Sequence, residues 1–200
     1  MHFKSHYLAD FSDRNPEPIT DKLFSDRWSP RAFKNTEIPR VALEAIFDAT
    51  RWSPSCFNEQ PWQFITTSNT ESSRFQLFLS LLVESNQQWA KNASLLGFIV
   101  AKKHFDQNQK PNNTADFDCG SAWMAMTLQA RMFGLFTHGM AGIKYDDIYS
   151  TLNIDAASHR VICGFALGAL DTPENLPEAL QEKEKPSPRK PLADVWQHYD

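Results

Sequence analysis

The sequence predicts one domain that combines α-helices with β-strands. Its 200 residues suit a single domain, and a hydrophobic content of 42% is sufficient for a core. Residues 95–101 and 160–167 are almost continuously apolar and have the length of strands; the first is typical of a strand covered on both faces. Residues 116–133 are apolar on nearly every side, which favours a helix buried at the centre of the domain and against a second subunit.

The N-terminal part predicts an arm followed by two helices. Residues 1–18 alternate between polar and aromatic side chains, so we interpret them as an arm that needs another surface to order it. Residues 19–25 suggest a short helix with Leu23 and Phe24 facing inward. Pro39 suits the first turn of a helix that continues to Thr50, because the apolar positions in this run recur at helical spacing.

The middle of the chain predicts a turn, a strand and a helix. Pro54 and Pro61 each disfavour helix at the preceding residue, so residues 51–62 must turn. Residues 63–67 are typical of a strand. A helix from Asn69 or Thr70 to about Ser85 would place its apolar side chains on one face.

The polar segment 102–115 has no sustained period, and we interpret it as a mobile excursion. By position and length, residues 102–117 are a candidate lid over a site. Asp116 or Asp118 could cap the long helix that follows, and Gly134 would end it. Beyond that helix, residues 135–143 contain two glycines that permit close backbone approach to a flat group. His138, in the same stretch, is expected to be structural, since a lone histidine usually is.

From Asp171 onward the composition shifts to Glu, Lys and Pro, which indicates an extended tail over residues 171–200. Within it, residues 176–185 suggest a short exposed helix. Trp196 favours docking of the tail on a neighbouring subunit, and the alternative is a tail that docks nowhere.

Bulk composition argues against several classes of protein. A net charge of −4 disfavours nucleic-acid and anionic-membrane partners. The three cysteines show no metal or redox spacing, and their odd number fits a reducing compartment. The chain opens without a signal-peptide pattern, and its longest apolar run, residues 95–101, is too short to cross a bilayer. We therefore expect a cytoplasmic protein without a metal site.

Two polar segments are candidates for binding. Arg27, Ser29 and Arg31 lie in a kinked segment where two guanidinium groups and a hydroxyl could hold a phosphate, although exposed arginines are more often solvated surface. In the turn at residues 51–62, short polar side chains beside prolines suit the edge of a flat heterocycle, or simply a structural loop. No Ser-His-Asp order or local pair of carboxylates is present, so no catalytic side chain is predicted. This favours a cofactor that carries the reactivity.

Four segments together resemble the nitroreductase family of flavoproteins. They are residues 27–33, 53–62 (Ser-Pro-Ser-x-x-Asn-x-Gln-Pro-Trp), 118–142 and 189–195 (Arg-Lys-Pro-Leu-x-x-Val). Their order and spacing cover nearly the whole chain, and the second is the most specific. The resemblance implies an α+β sandwich with a central mixed or antiparallel sheet flanked by helices. It also implies a homodimer with exchanged C-terminal tails and one FMN in each of two interface sites.

The resemblance implies cofactor-binding positions along the chain. The segment that holds the FMN phosphate and ribityl chain corresponds to Arg27, Trp28, Ser29 and Arg31, and Arg189 would close on the phosphate. The loop that lines the flavin ring from the partner subunit corresponds to Pro54, Ser55 and Asn58. The backbone near flavin N5 corresponds to Met140, Ala141 and Gly142, and Asn86 corresponds to a ring-contacting asparagine.

This sequence departs from the family pattern at two places. Some members carry a lysine where this chain has Ser187, so one charge is either missing or supplied by Lys190. Trp89 occupies the place where a second basic residue near the flavin pyrimidine edge is expected.

The function implied by the resemblance is an FMN-dependent oxidoreductase. NADH or NADPH would give a hydride to flavin N5, and an electron-poor acceptor such as a nitroaromatic or quinone would then take electrons in a ping-pong sequence. One alternative is an FMN-holding storage or sensor protein with little turnover. Another is a relative that acts on a dedicated metabolite by dehydrogenation or dehalogenation.

Overall fold

A five-stranded sheet with helices on both faces organises the chain in the computed structural model, which describes residues 2–5 and 7–199. Met1 and His6 of the predicted arm and Asp200 of the predicted tail lie outside the described residues. The strands are β1 (Phe33–Lys34), β2 (Trp62–Ser68), β3 (Leu95–Lys102), β4 (Leu135–Met140) and β5 (His159–Leu170). The predicted α+β class is therefore confirmed, and so are the predicted strands at residues 63–67, 95–101 and 160–167.

Strand β5 is the centre of the sheet, because it pairs with β1, β3 and β4, while β2 pairs with β3 at the edge. Each of these pairings is antiparallel, so the sheet is not mixed. Gly164 and Gly168 of β5 lie opposite large side chains, Phe98 and Phe136 respectively. Added side-chain atoms at either glycine would meet heavy atoms within 3 Å, so close packing of the sheet depends on both.

The helices cover both faces of the sheet. Within the described residues they are α1 (Lys22–Ser25), α2 (Arg40–Asp48), α3 (Ser72–Ser80), α4 (Glu84–Ala90), α5 (Ala115–Met132), α6 (Tyr145–Thr151) and α7 (Glu178–Gln181). Single 3₁₀ turns occur at Ala49–Trp52, Cys56–Asn58, Pro173–Asn175 and Leu192–Asp194. Gly134, at φ +80°, ends α5 in the left-handed conformation that glycine adopts without strain. Among the described residues, no helix has the length and apolarity needed to span a bilayer.

Alternate residues of each strand point to opposite faces, and this divides the core into two layers. In β3, Leu96 and Phe98 pack with α3, α4 and α6, on what we call the α4 face. Leu95 and Ile99 pack instead with α2 and α5, on the α5 face. Because both faces of β3 are buried, its sequence is continuously apolar, as predicted.

Several predicted helix boundaries were wrong. The helix expected over residues 69–85 is two helices, α3 and α4, separated by residues 81–83. The first helix is limited to α1, and Phe24 is exposed rather than inward-facing. Neither Asp116 nor Asp118 caps α5; the buried Asp118 carboxylate lies inside the first turn and accepts a bond from the Thr114 hydroxyl at 3.3 Å.

Two segments expected to be irregular or exposed are more ordered than their sequences indicate. The excursion after β3 closes on itself, since the Asn112 N–H donates to the Lys103 carbonyl at 2.7 Å and the Phe105 N–H to the Lys110 carbonyl at 2.9 Å. In the tail, the short helix predicted within residues 176–185 is α7, but Leu176 and Glu184 on either side of it are buried, at 6% and 2% exposed. The exchange of tails between two copies stays a prediction.

Candidate functional site

A cleft of about 330 Å³ opens where residues 27–31, strand β4 and the C-terminal segment meet on the α4 face. Nine residues line it, five of which are Arg or Lys: Arg27, Trp28, Ser29, Arg31, His138, Lys183, Lys185, Ser187 and Arg189. All the residues predicted to hold a phosphate are in this set, although Arg189 is 158 positions from Arg31 in the chain.

The cationic groups in the cleft are close enough to disfavour one another. Burial and the neighbouring Arg189 lower the pKa of Arg27, whose Nη1 lies 3.3 Å from the Ser29 hydroxyl. The carboxylate of Glu184 lies beside Arg31, with Oε2 3.9 Å from the guanidinium Nη1. An anion bound among these groups would relieve their mutual repulsion, so the electrostatics suit a phosphate.

His138 supports the segment that carries the two arginines. Its Nδ1–H donates to the Pro30 carbonyl at 2.8 Å, and its ring centre lies 4.6 Å from that of Trp89 on α4. Burial lowers the pKa of His138 to about 4, against the effect of the bond to Pro30, and nearby Arg31 and Arg27 lower it further. The imidazole is therefore neutral at neutral pH and positions the backbone between Arg27 and Arg31.

Arg14 joins three separate parts of the chain around the cleft. Its guanidinium donates to the carbonyls of Ser25 and Arg27, the latter at 2.7 Å, and to the Ser187 carbonyl at 3.1 Å. Burial, followed by Arg189 and Arg27, lowers the pKa of Arg14. The sequence carried no motif at this position, and only the folded chain shows that Arg14 anchors both walls of the cleft.

The structure also shows which lysines could supply the positive charge that is missing at Ser187. Lys183 and Lys185 line the cleft. Lys190, which was predicted as the possible substitute, lines an adjacent pocket between the tail and residues 14–25 instead. The sequence signal for these two lysines is the alternation Lys183-Glu184-Lys185. It points to the cleft only once the structure shows that Glu184 is buried between them.

A second group of predicted residues lies at the end of β4. Met140 is buried, Ala141 is exposed, and the Gly142 carbonyl accepts bonds from the Asn86 side-chain amide at 3.0 Å and from the Val83 N–H at 3.1 Å. A Cβ atom at Gly142 would lie only 2.6 Å from Asn86 Nδ2. Asn86 is therefore beside the predicted N5 segment, and Gly142 is required for their close approach.

Trp89, at the place where a basic residue near the flavin pyrimidine edge was expected, is a core residue. It is 2% exposed and packs against Phe33 and His138 in the interior of the α4 face. Its indole therefore serves the core of the domain.

The third group of predicted residues, Pro54, Ser55 and Asn58, is not brought to the cleft in this chain. Their loop lies on the α5 face, where the Cys56 N–H donates to the buried Asp118 carboxylate at 3.2 Å. Pro54 and Asn58 are exposed, and the Ser55 hydroxyl accepts a bond from the Gln60 N–H at 3.0 Å. One chain therefore places this loop and the cationic cleft on opposite faces of its sheet.

The backbone of this loop is unusual. Phe57, Asn58 and Gln60 have φ values of 53°, 57° and 50°, in the left-handed region that residues other than glycine rarely adopt. Phe57 is 79% exposed, so no burial of its side chain within one chain offsets this conformation. Strained backbone of this kind is concentrated at functional sites.

Comparison with known proteins places this geometry in context. The family model described as the nitroreductase family matches residues 25–169. A solved structure described as an oxidoreductase containing FMN is 42% identical, with a TM-score of 0.88, and the match covers 95% of this chain and 96% of that one. No curated protein matched the chain.

More distant structures share the fold. A protein from Desulfovibrio desulfuricans, solved in complex with FMN, is 18% identical with a TM-score of 0.70, covering 93% of this chain and 99% of that one. A protein from Exiguobacterium sibiricum 255-15, also solved with FMN, is 17% identical with a TM-score of 0.71, covering 92% and 100% respectively.

Proposed function

This chain belongs to the nitroreductase family, and from that premise we propose that it is an FMN-dependent oxidoreductase using NADH or NADPH to reduce an electron-poor acceptor. A nitroaromatic or a quinone has the required chemistry. The observation that carries the proposal is the cationic cleft, which gathers arginines from the two ends of the chain around one cavity.

The residues of the cleft fit the phosphate end of FMN. Arg27, Arg31 and Arg189 offer guanidinium groups, and Ser29 offers a hydroxyl, at the wall of a cavity of about 330 Å³. That volume suits a phosphate with the adjoining ribityl chain. Each charge-assisted hydrogen bond to the phosphate would contribute about 1.5–3 kcal/mol.

The end of β4 fits the flavin ring. His138, which lines the cleft, and Met140 point to the same face of β4, so the strand leads from the cleft toward Gly142. Asn86 fixes the Gly142 carbonyl and with it the backbone that would face the ring. When bound, FMN supplies N5 as the atom that accepts and returns the hydride, while the protein binds, orients and shields the ring.

A homodimer would complete the site. The loop that carries Pro54, Ser55 and Asn58 lies on the α5 face of its own sheet, so we propose that it lines the ring bound in the cleft of a second copy. Large apolar side chains on this loop and on α2 and α5 are exposed, which favours burial against that copy: Val41, Trp52, Phe57, Phe117 and Met132. An obligate interface of this kind buries about 2,000–5,000 Å².

An absorption spectrum of the purified protein tests cofactor binding. We expect a flavin spectrum that bleaches when NADH or NADPH is added without oxygen and returns when a quinone is supplied. Retained flavin without bleaching by either nucleotide would contradict the oxidoreductase proposal and favour a storage or sensor protein.

A double substitution tests the phosphate cleft. Arg31→Ala with Arg189→Ala should give folded, colourless protein, because two of the three guanidinium groups are removed. The matched control is Arg74→Ala with Lys91→Ala, since both side chains are exposed and neither lines the cleft. Normal flavin content in the first variant would show that the cleft does not bind the phosphate.

A further inference from the structure

Glu184 is a buried carboxylate between two lysines that line the cleft. It is 2% exposed, whereas Lys183 and Lys185 are exposed and contribute to the cleft wall. A glutamate buried this completely is uncommon unless its charge is paired or hydrogen-bonded. Its position in a charged tail therefore needs a physical reason.

One oxygen of Glu184 holds the backbone of the opposite wall. Its Oε1 accepts from the Arg31 N–H at 2.6 Å and from the Ala32 N–H at 2.7 Å. These contacts join positions that are 153 and 152 residues apart in the chain. Bonds from backbone donors to a carboxylate are charge-assisted and stronger than neutral ones.

The cost of burying the second carboxylate oxygen of Glu184 is only partly offset by its surroundings. Glu184 Oε2 is buried and has no hydrogen-bond partner among the described residues, and it lies 3.9 Å from the Arg31 guanidinium. Burial raises the pKa of Glu184, while the two N–H donors and Arg31 act in the opposite direction. A carboxylate with one unpaired buried oxygen costs stability, so packing alone does not account for it.

We propose that Glu184 is a positioning residue, a latch that holds the basic C-terminal segment against the segment at residues 27–32 and so keeps the anion cleft assembled. Residues 27–31 supply one wall of the cleft, and residues 183–189 supply the other. Arg14 supports the same closure by bonding to the carbonyls of Arg27 and Ser187. The ligand in this inference rests on the proposed FMN function, whereas the latch contact itself does not.

The latch and the ligand are thermodynamically coupled, because each favours the state in which the two walls are together. A chain whose walls are joined only part of the time binds the ligand with an affinity reduced by that fraction. Loss of the Glu184 contacts should raise the Kd for FMN about 10–100-fold, which is the effect of losing the net contribution of one charge-assisted bond from the closed state. By reciprocity, bound FMN should protect the C-terminal segment from cleavage.

The test compares full-length Glu184→Ala, Glu184→Gln and Glu182→Ala with the unaltered protein after removal of flavin. Glutamine keeps an acceptor oxygen but loses the charge, so its FMN affinity should lie between those of the unaltered protein and Glu184→Ala. Glu182 is exposed two positions away, so its alanine variant is the matched control. FMN affinity is measured by quenching of flavin fluorescence, and urea unfolding reports stability separately.

Trypsin supplies a readout that does not depend on FMN. Lys185 and Lys190 precede prolines and resist trypsin, and Lys183 adjoins both substituted positions, so Arg189 reports on the segment. We expect Glu184→Ala to be cut after Arg189 at least about 10-fold faster than the control, with little change in the urea midpoint, since local opening is then much more frequent.

Equal cleavage rates and equal FMN affinities in Glu184→Ala and the control would overturn the latch. If Glu184→Ala does not fold, Glu184→Asp takes its place, because the shorter side chain keeps the charge but withdraws it from the two N–H groups. Failure of the unaltered protein to bind FMN would contradict the proposed function instead, and the trypsin comparison would still decide the latch.

Discussion

Replacement of His138 by asparagine should remove a specific part of the pH dependence of stability. Asparagine can still donate a hydrogen bond near the position of Nδ1, where His138 donates to the Pro30 carbonyl at 2.8 Å. It cannot take up a proton in the accessible pH range. The variant therefore separates the titration of the ring from the hydrogen bond that holds the segment at residues 27–31.

The sign and size of the effect follow from the pKa of His138, which falls from 6.5 to about 4 on folding, chiefly because the ring is buried. Between these values the unfolded chain binds a proton that the folded chain does not, so stability is lost as the pH falls from about 6.5 toward about 4. Single-site linkage with these values makes the loss about 2 kcal/mol between about pH 7.5 and about pH 5.

The assay is urea unfolding of flavin-free protein at these two pH values, followed by far-UV circular dichroism. The free energy of unfolding of the unaltered protein should fall by about 2 kcal/mol more than that of His138→Asn, beyond the change shared by both. His198→Asn, at an exposed position of the tail, is the control and should behave like the unaltered protein. If His138→Asn shows the same pH dependence as the control, His138 is not held neutral by its surroundings.

Two further predictions concern the end of β4 and the tail. Gly142→Ala would place a Cβ atom 2.6 Å from Asn86 Nδ2 and 2.8 Å from Val83 Cγ2, so it should lower the free energy of urea unfolding by about 1–3 kcal/mol. Gly120→Ala on α5 meets nothing within 4 Å and should be neutral or slightly stabilising; equal stability of the two variants would contradict the steric argument. Removal of residues 191–200 should weaken the proposed homodimer while leaving the cleft residues in place, and sedimentation showing the same dimer with and without these residues at low micromolar concentration would refute tail docking.

Sequence patterns predicted those features that depend on neighbours along the chain. The continuous apolar runs of β3 and β5 and the length of α5 were recognisable because burial on both faces, or on all sides, requires apolar residues at consecutive positions. The helix boundaries were less accurate, since the break between α3 and α4 carries no proline or glycine to mark it.

The candidate site was only partly accessible from sequence. Motif resemblance predicted Arg27, Arg31 and Arg189 as one group, and the structure places them around one cleft. It did not indicate Arg14 or Glu184, whose partners are carbonyl oxygens and backbone N–H groups. Backbone donors and acceptors are present at almost every residue, so such partners leave no trace in the sequence.

The amino-acid sequence by itself determined the apolar layers, the basic and polar segments and the family they resemble, because each is encoded within a short stretch of chain. Only the tertiary structure decided which segments meet. It joined the C-terminal segment to the segment at residues 27–32 through Glu184 and placed the loop at residues 51–62 on the opposite face of the sheet. The physical reason is that these arrangements depend on contacts between residues far apart in the chain, whose geometry is set by the packing of the whole sheet.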